Sequence, residues 1–543
     1  MITLSMSITL LLFFLSNILV IYPASFTVSL PLIGERKVTI GLITSPIMAI
    51  AILWAFQCLG GTQMRNGIIG SDNIKPYNIL ILSISVAYMV TTLEATGILQ
   101  AAASWVSSKA GFSSRKLYFY FYLLFTLVSI IVGNDPVIFS GTDFLVGRIS
   151  EAGLDPKPWL VSAFIAANTG SMVLSSFTND IVCEGFRISS AALMAYMIIP
   201  FIACSIARYF MLKVRYAEGR VPRGLDGSGP QNPWEGLRDP VSAIFGSIWL
   251  TTCLVLVIVL GVFQVDGWKI GLPFAGGKFI FDIYRNYISP TGEIPGEGTS
   301  DVIELPDASE APLTRPPQHD EGIAANEPQE SESLVPFING NAQSAPFPTT
   351  PPSTTTNVQP WYRRFLNYKK LAADFPTFFT ALTRLPFTLV LFAFSQFILI
   401  EALEHQGWID IFARWLVIAS NKQLIPVVWF VGVFGVILCN ISGTNIGATI
   451  LLTKIIRASD FSKDTARAAA VSLAVASNIG AVSFTFSASL EALSWVAILK
   501  VKGIEIDQWE FAMWNSPPLV AMMVGLGVNE KDKPSFLCPR IKS

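Results

Sequence analysis

The chain has 543 residues, 52% of them hydrophobic and only 14% charged. A soluble globular chain carries about 25% charged residues, so this one lacks the polar surface that water demands, and a bilayer is the solvent that tolerates the deficit. Its net charge of -1 leaves no basic footprint for nucleic acid.

A helix needs roughly 20 mostly apolar residues to cross a bilayer. The first such stretch is predicted at 4–24. Its apolar run Ile8 to Val20 has no basic flank and no small-residue cleavage site, so it reads as a retained span, not a signal peptide. Further spans are predicted at 40–59, 77–97, 188–212, 240–263, 378–400 and 508–527. Two more, 158–180 and 467–490, carry polar interruptions. A weaker one at 266–288 is apolar over Ile270 to Phe281 but holds Gly276, Gly277 and Lys278.

Two other apolar stretches break midway. Tyr118 to Val146 is interrupted by Gly133-Asn134-Asp135-Pro136, and Ile425 to Ile456 by Asn440-Ile441-Ser442-Gly443-Thr444-Asn445. Each limb is short for a span, so re-entrant hairpins are expected at 118–146 and 425–456. Such backbone survives at membrane depth only when buried in protein or lining a cavity. From 289 to 375 the composition turns to Pro, Ser, Thr, Asn and acidic residues, which cannot bury enough apolar area to offset ordering entropy. The predicted organisation is a first transmembrane repeat at 1–215 and the start of a second at 240–290. A disordered cytoplasmic loop at 291–375, the rest of the second repeat at 376–528 and a tail at 529–543 follow.

The division into repeats rests on residues recurring 310 positions apart. Pro76, Leu93, Glu94, Gly97 and Trp105 return as Pro386, Leu403, Glu404, Gly407 and Trp415, and Ser162, Asn168 and Gly170 as Ser472, Asn478 and Gly480. Pro, Glu, Trp, Asn and Gly are minority residues in an apolar chain, so their common register argues duplication. A doubled apolar unit with Gly-containing polar breaks at equivalent places is the sequence sign of a secondary transporter. Five spans precede the second half, which would turn it upside down and give inverted repeats. Without the 266–288 span the copies would be parallel. Lys109, Arg115, Lys116, Lys213, Arg215, Arg220, Arg223 and the basic run at 363–370 fall on one side, predicted cytoplasmic.

The fold class expected is thus an all-α polytopic membrane protein with about ten transmembrane helices and two re-entrant hairpins. Little else competes. Six dispersed cysteines without a CxxC and two histidines supply no disulfide framework, metal site or cofactor site. No P-loop, HExxH or GxSxG occurs, so neither ATP-driven work nor enzymatic catalysis is expected. A channel would need a continuous pore, which two opposed hairpins would not make. The expected partners are a small-molecule or ion substrate and the lipid bilayer. Nucleic acid is excluded, and a homodimer is compatible with such a unit.

Asp135 is the sharpest candidate for coupling, a carboxylate at a helix break where burial of charge is costly unless functional. The plainer reading makes it a loop residue at the membrane boundary, and Asp143 lies nearer the surface still. Asn168, Thr169 and Gly170 interrupt one span, followed by Ser175, Ser176, Thr178, Asn179 and Asp180. Asn478 and Gly480 interrupt its copy, followed by Ser483, Thr485, Ser487 and Ser489. Small polar residues also mediate helix packing in lipid, but the duplicated Asn-x-Gly favours unwound, ligand-binding backbone. The predicted substrate-binding set is Asn134, Asn168, Thr169, Gly170, Asn445, Asn478, Gly480 and Thr485. The predicted coupling-ion set is Asp135, Asn179, Asp180 and Ser487. Glu94 and Glu404 read as structural, at helix ends. Lys454 and Arg457 are expected to snorkel and His405 to sit at the interface. The segments around Trp105 and Trp415, 98–109 and 408–419, are expected to lie along the interface as amphipathic arms.

From Ser477 the sequence reads SNIGAVSFTFSASLEALSW, which resembles the arsenite/antimonite permeases at Asn478, Gly480, Thr485, Leu490, Ala492, Leu493 and Trp495. Asn168 and Gly170 of the first copy and Gly133-Asn134-Asp135 also fit. The wider group is the ion transporter superfamily, with its citrate, dicarboxylate and sodium/proton carriers, and the resemblance covers about 35–290 and 376–528. Phe486 and Ala488 stand where the family usually has Pro and Gly. Phe177-Thr178-Asn179 replaces a Gly-Asn-Pro-like turn, and Gly443-Thr444-Asn445 replaces Ser-Asn-Thr. The permease resemblance implies proton-coupled export of neutral arsenous or antimonous acid. The carboxylate branch implies anion uptake with sodium or protons, and a sodium/proton antiporter is the third alternative. No Arg or Lys lies within either break, which favours a neutral oxyacid, although half-helix dipoles could hold an anion.

Overall fold

The structure, a computed structural model, describes residues 3–30, 34–71, 74–110, 114–151, 155–173, 176–216, 233–263, 265–288 and 376–515. The predicted loop at 291–375, the tail at 529–543 and the last predicted span from 516 onward lie outside the described residues.

Among the described residues the chain opens with helix α1 (Leu4–Ile21), which Thr3 caps by accepting from the Met6 amide. A β-hairpin follows, strands β1 (Ala24–Leu30) and β2 (Gly34–Ile40) pairing antiparallel with Ala24 opposite Ile40. This is a departure from the expected all-α chain, and it shortens the span predicted at 40–59. What forms there is α2 (Thr44–Ala55), 12 residues long, after the short loop that ends the strand. Helices α3 (Gly61–Ile69) and α4 (Pro76–Ala95) come next, the latter opened by proline at its first position, where a missing N–H costs nothing. Then come α5 (Ile98–Ala110), α6 (Ser114–Val132), α7 (Asn134–Glu151), α8 (Lys157–Ser171), α9 (Phe177–Phe186) and α10 (Ser190–Tyr216).

The second half begins with α11 (Pro240–Gly261), capped by the Asp239 carboxylate, and α12 (Trp268–Ile288). The residues of the weak span form one unbroken 21-residue helix, about 31 Å long at 1.5 Å per residue, which is not among the helices both long and apolar enough to cross a membrane. Its internal charges are dealt with locally. Lys278 and Asp282 are buried and form an ion pair one turn apart, and the Tyr88 hydroxyl donates to Asp282 at 3.1 Å. The span predicted at 378–400 divides into α13 (Pro376–Arg384) and α14 (Phe387–His405). Pro386 is the cause, since proline cannot continue a helix it interrupts. Then follow α15 (Trp408–Ser420), α16 (Leu424–Ile441), α17 (Asn445–Ala458), α18 (Lys463–Gly480), a single 3-10 turn at Phe486–Ala488 and α19 (Leu490–Val501).

Among the described residues six helices are long and apolar enough to cross a membrane: α1, α4, the Ser190–Phe210 part of α10, α11, α14 and α16. Their outer faces match that role. Ile198, Ile202, Ile206 and Phe210 of α10 are exposed at four-residue spacing, and Ile244, Ile248, Val255 and Val259 are exposed at spacings of four and seven along α11. Such apolar stripes along a helix are a lipid-facing surface. The hairpin limbs exceed their predicted lengths, α6 and α7 having 19 and 18 residues and α16 also 18. Only α17, with 14, has the short limb the sequence suggests. α16 is among the helices long enough to span.

Element order repeats between the halves, and the halves interlock. α3 packs on α14 while its counterpart α13 packs on α4. α9, which follows the first broken span, packs against α17 and α18, and α19, which follows the second, packs against α7. The hydrophobic clusters show the same exchange. Trp495 and Leu499 of α19 are buried with Phe121, Phe125 and Phe164 of α6 and α8, the Phe164 and Trp495 rings stacked at 4.4 Å. Ile181 and Val182 of α9 are buried with the residues of α16, α17 and α18.

Candidate functional site

The breaks lie where the polar residues put them. α8 ends at Ser171 and α9 starts at Phe177, while α18 ends at Gly480 and α19 starts at Leu490. Asn168 and Asn478 occupy the last turns of the two first limbs and behave alike. Each donates its side-chain amide to the carbonyl four residues back, Phe164 at 3.0 Å and Ala474 at 2.8 Å. The duplicated glycines have a packing reason. A Cβ at Gly170 would sit 2.5 Å from the Thr126 carbonyl oxygen, and one at Gly480 would sit 2.6 Å from the Cys439 sulfur. Only glycine lets each broken helix press this closely onto the first limb of its hairpin, α6 or α16. Gly170 and Gly480, predicted to bind substrate, thus face hairpin limbs.

The hairpin tips reach the breaks differently. Asn134, first residue of α7 after Gly133 at φ 92, donates to the Asn168 side-chain oxygen at 3.3 Å. It also faces the Glu491 carboxylate, which Ser489 flanks at the start of α19. Asp135 is the second residue of α7, and its side chain lies outside the described residues. At the second tip the working residue is Asn440. Its amide donates to Ser483 at 2.7 Å, and its oxygen accepts from the Thr485 amide at 3.0 Å and the Thr485 hydroxyl at 2.8 Å. Ser487 donates to Thr485 at 3.1 Å. Asn445, which the sequence put in this role, starts α17 and accepts from the Thr449 hydroxyl through its backbone carbonyl at 2.7 Å.

Asn168 and Asn478 are bonded not to each other but to other residues. Asn478 donates to the Asn179 side-chain oxygen at 2.9 Å, and Asn179 donates to the Met172 carbonyl at 2.9 Å. Asn168 reaches α19 through Asn134. The reason is the exchange of α9 and α19: each first limb faces the second limb of the other copy. Thr169 turns away from Asn134 and accepts from Arg208 of α10.

Asp180, in the first turn of α9, opens into a cavity of about 240 Å³ lined also by Lys75, Asn78, Glu184, Arg187 and Asp266. Asn78 donates to Glu184 at 2.9 Å, and Lys75 pairs with Asp266 at 3.0 Å at the entrance of α4. A hydrogen bond from Lys269 holds the Asp266 carboxyl below its ordinary value, and the bond to Asp266 raises the Lys75 ammonium above its own. Both groups at this mouth are therefore ionised near neutral pH.

The repeated glutamates carry more than a helix end. Glu94 on α4 is buried, accepts from Ser140 of α7 and meets Arg384 of α13 at 3.4 Å. Glu404 on α14 accepts from Lys454 of α17. Lys454 does not snorkel as the sequence suggested. It is 6% exposed and pairs also with Glu401 at 2.7 Å, which in turn accepts from Ser71 at 2.8 Å and Asn66 at 3.2 Å. Each glutamate thus braces the return limb of a hairpin. The amphipathic arms exist as α5 and α15, with Trp105 and Trp415 exposed.

Sequence reasoning missed Glu491, Asn440 as a bonding residue, and Arg208. A signal existed for the last, a single cation near the end of an apolar run, which in a membrane segment marks function by default.

No family model matches the sequence. Among solved structures the chain is similar to the YdaH transporter of Alcanivorax borkumensis, described as having an unusual topology, at 13% identity over 97% of this chain and 96% of that one, with a TM-score of 0.42. A likeness at that level decides neither the fold nor the function of this chain.

Proposed function

We propose that the protein is a secondary active transporter that moves a small oxyanion or oxyacid across a membrane by alternating access. The observation that carries this reading is the pair of broken helices, α8/α9 and α18/α19, each approached by a hairpin tip, linked to each other by the Asn478–Asn179 bond and, from the first hairpin tip to α19, by the Asn134–Glu491 contact. Broken helices freeing backbone groups inside an apolar protein are how carriers build a midplane site. Asn168, Thr169, Asn478 and Thr485 supply hydrogen-bonding groups for an oxygen-rich solute. Asp180, which lines a charged cavity, and Asp135, at the first tip, are the carboxylates to which coupling is assigned. The arsenite/antimonite export reading and the carboxylate uptake reading both fit this arrangement, and neither calls for catalysis or a bound cofactor.

The test is transport by the purified protein in liposomes, offered arsenite, citrate or succinate with an imposed proton or sodium gradient. Concentrative movement of one of them that collapses with the gradient is the expected result. Flux that follows only the substrate's own gradient at channel rates would overturn the carrier reading.

A further inference from the structure

Three cationic side chains are buried among the described residues: Arg208, Lys278 and Lys454. Lys278 is paired with Asp282, and Lys454 with Glu401 and Glu404. Arg208, 2% exposed, pairs with no carboxylate among the described residues. Its Nη1 donates to the Ile165 carbonyl at 3.1 Å and to the Thr169 hydroxyl, and its Nε is buried without an acceptor. The Cys204 thiol also hydrogen-bonds with it, and Tyr122, whose hydroxyl donates to the Ser205 carbonyl at 3.1 Å, lies near. None of these carries a formal negative charge.

A guanidinium stays protonated in any protein environment, and an unpaired one away from water is costly. Neighbouring helices have removed that cost elsewhere in this molecule with glutamates and an aspartate. Here they have not. Nη1 has two hydrogens and both are used, and the buried Nε has no acceptor; it lies on the edge shared with Nη2, the edge that grips an oxyanion with two parallel bonds. The place is also right. Thr169 is adjacent to Asn168 and lies twelve residues into α8, about 18 Å along the helix at 1.5 Å per residue. The last turn of α8 presents partial negative charge and would favour a cation, and the arginine offsets it.

We propose that Arg208 is the fixed positive charge of the substrate site, and that the substrate is a small oxyanion rather than a neutral oxyacid. This rests on the transport reading above. The sequence argument against a fixed charge fails because the arginine comes from α10, 37 residues beyond the end of α8.

Binding is measured on detergent-purified full chain as ligand-induced thermal stabilisation, with succinate, citrate, sulfate and arsenous acid as separate probes at pH 7. At least one of the three anions is expected to stabilise the wild type. Arg208→Gln should weaken that anion at least about ten-fold, the loss of a charge-assisted bond. Arg208→Lys keeps the charge but not the two-bonded edge and should lie between them. Should Arg208→Gln not fold, a raised KM for the same anion in Arg208→Lys, with kcat near wild type, carries the test, because a merely structural arginine would not move KM alone. Equal anion affinity in wild type and Arg208→Gln overturns the proposal, and so does stabilisation by arsenous acid only. Binding in zwitterionic detergent that appears only after anionic lipid is added back, with no response to the free anions, assigns the charge to a headgroup and also overturns it. Anion binding without gradient-driven movement in liposomes would defeat the transport reading and leave the arginine assignment standing.

Discussion

Asn168 and Asn478 show how one residue type at duplicated positions takes on two jobs. Both anchor themselves to the carbonyl of the preceding turn, but only Asn478 uses its second amide hydrogen to hold Asn179 of the other copy. Asn478→Ala should therefore lose a bond between the copies as well as a substrate ligand. Leaving a buried acceptor unpaired costs about 1–3 kcal/mol, so thermal unfolding should show a lowered midpoint and substrate affinity should fall. An unchanged midpoint would mean that the Asn179 link contributes nothing. Asp180 is a different case, since it faces the cavity and not a bonded neighbour. Asp180→Asn should abolish concentrative transport yet permit exchange of substrate across the membrane without a gradient. If the variant still concentrates substrate, coupling lies with Asp135 or Glu491.

Among helices, close approach is the controlling quantity. α18 can touch α16 because position 480 has no side chain, and α8 touches α6 through Gly170 in the same way. Gly480→Ala puts a methyl group 2.6 Å from the Cys439 sulfur, so α16 and α18 must part or rotate. Overpacking of this kind costs roughly 1–3 kcal/mol, to be seen as lower thermal stability and slower transport in correctly inserted protein. Wild-type stability would show that the hairpin limb yields freely. The return limb of the same hairpin depends on Lys454. Lys454→Met removes the cation that pairs with the buried Glu401, and breaking a buried pair from one side costs about 3–5 kcal/mol. Combining it with Glu401→Gln and Glu404→Gln should recover much of that loss. A triple variant no better than the single one would show that shape, not charge, is what the lysine supplies.

For the whole molecule the open quantity is the sidedness of the two copies, and it turns on α12. The helix is long enough to cross, and its Lys278 and Asp282 neutralise each other inside the protein. If α11 and α12 both cross, the segments on either side of them share one face of the membrane. Cysteines placed at Ser228 and Ser331 should then both react with an impermeant thiol reagent from the cytoplasmic side, the side marked by the Lys and Arg bias. Labelling of position 331 from the outside would place the copies parallel.

How much of this was legible follows from which forces act locally. Helix breaks are local: Gly133 and Pro136, Asn440 to Asn445 and the Asn-x-Gly pairs interrupt apolar runs in the sequence, and the helices stop at those places. Membrane length is nearly as local, so most of the long apolar stretches are helices. It fails where one residue overrules the average, as Pro386 does in dividing 378–400, or where an alternating segment pairs with its neighbour, as 24–30 does with 34–40. Partners between helices were beyond reach. That Asn478 meets Asn179, that Lys454 meets Glu401 and Glu404, and that Arg208 meets Thr169 all depend on how α9, α10, α14 and α19 cross between the copies. The sequence by itself determined that the chain is apolar and helical with helix breaks at particular places, because propensity and hydropathy are properties of segments. Only the tertiary structure decided which charges are compensated and which is left over, because compensation belongs to pairs of residues up to hundreds of positions apart, and packing alone brings them together.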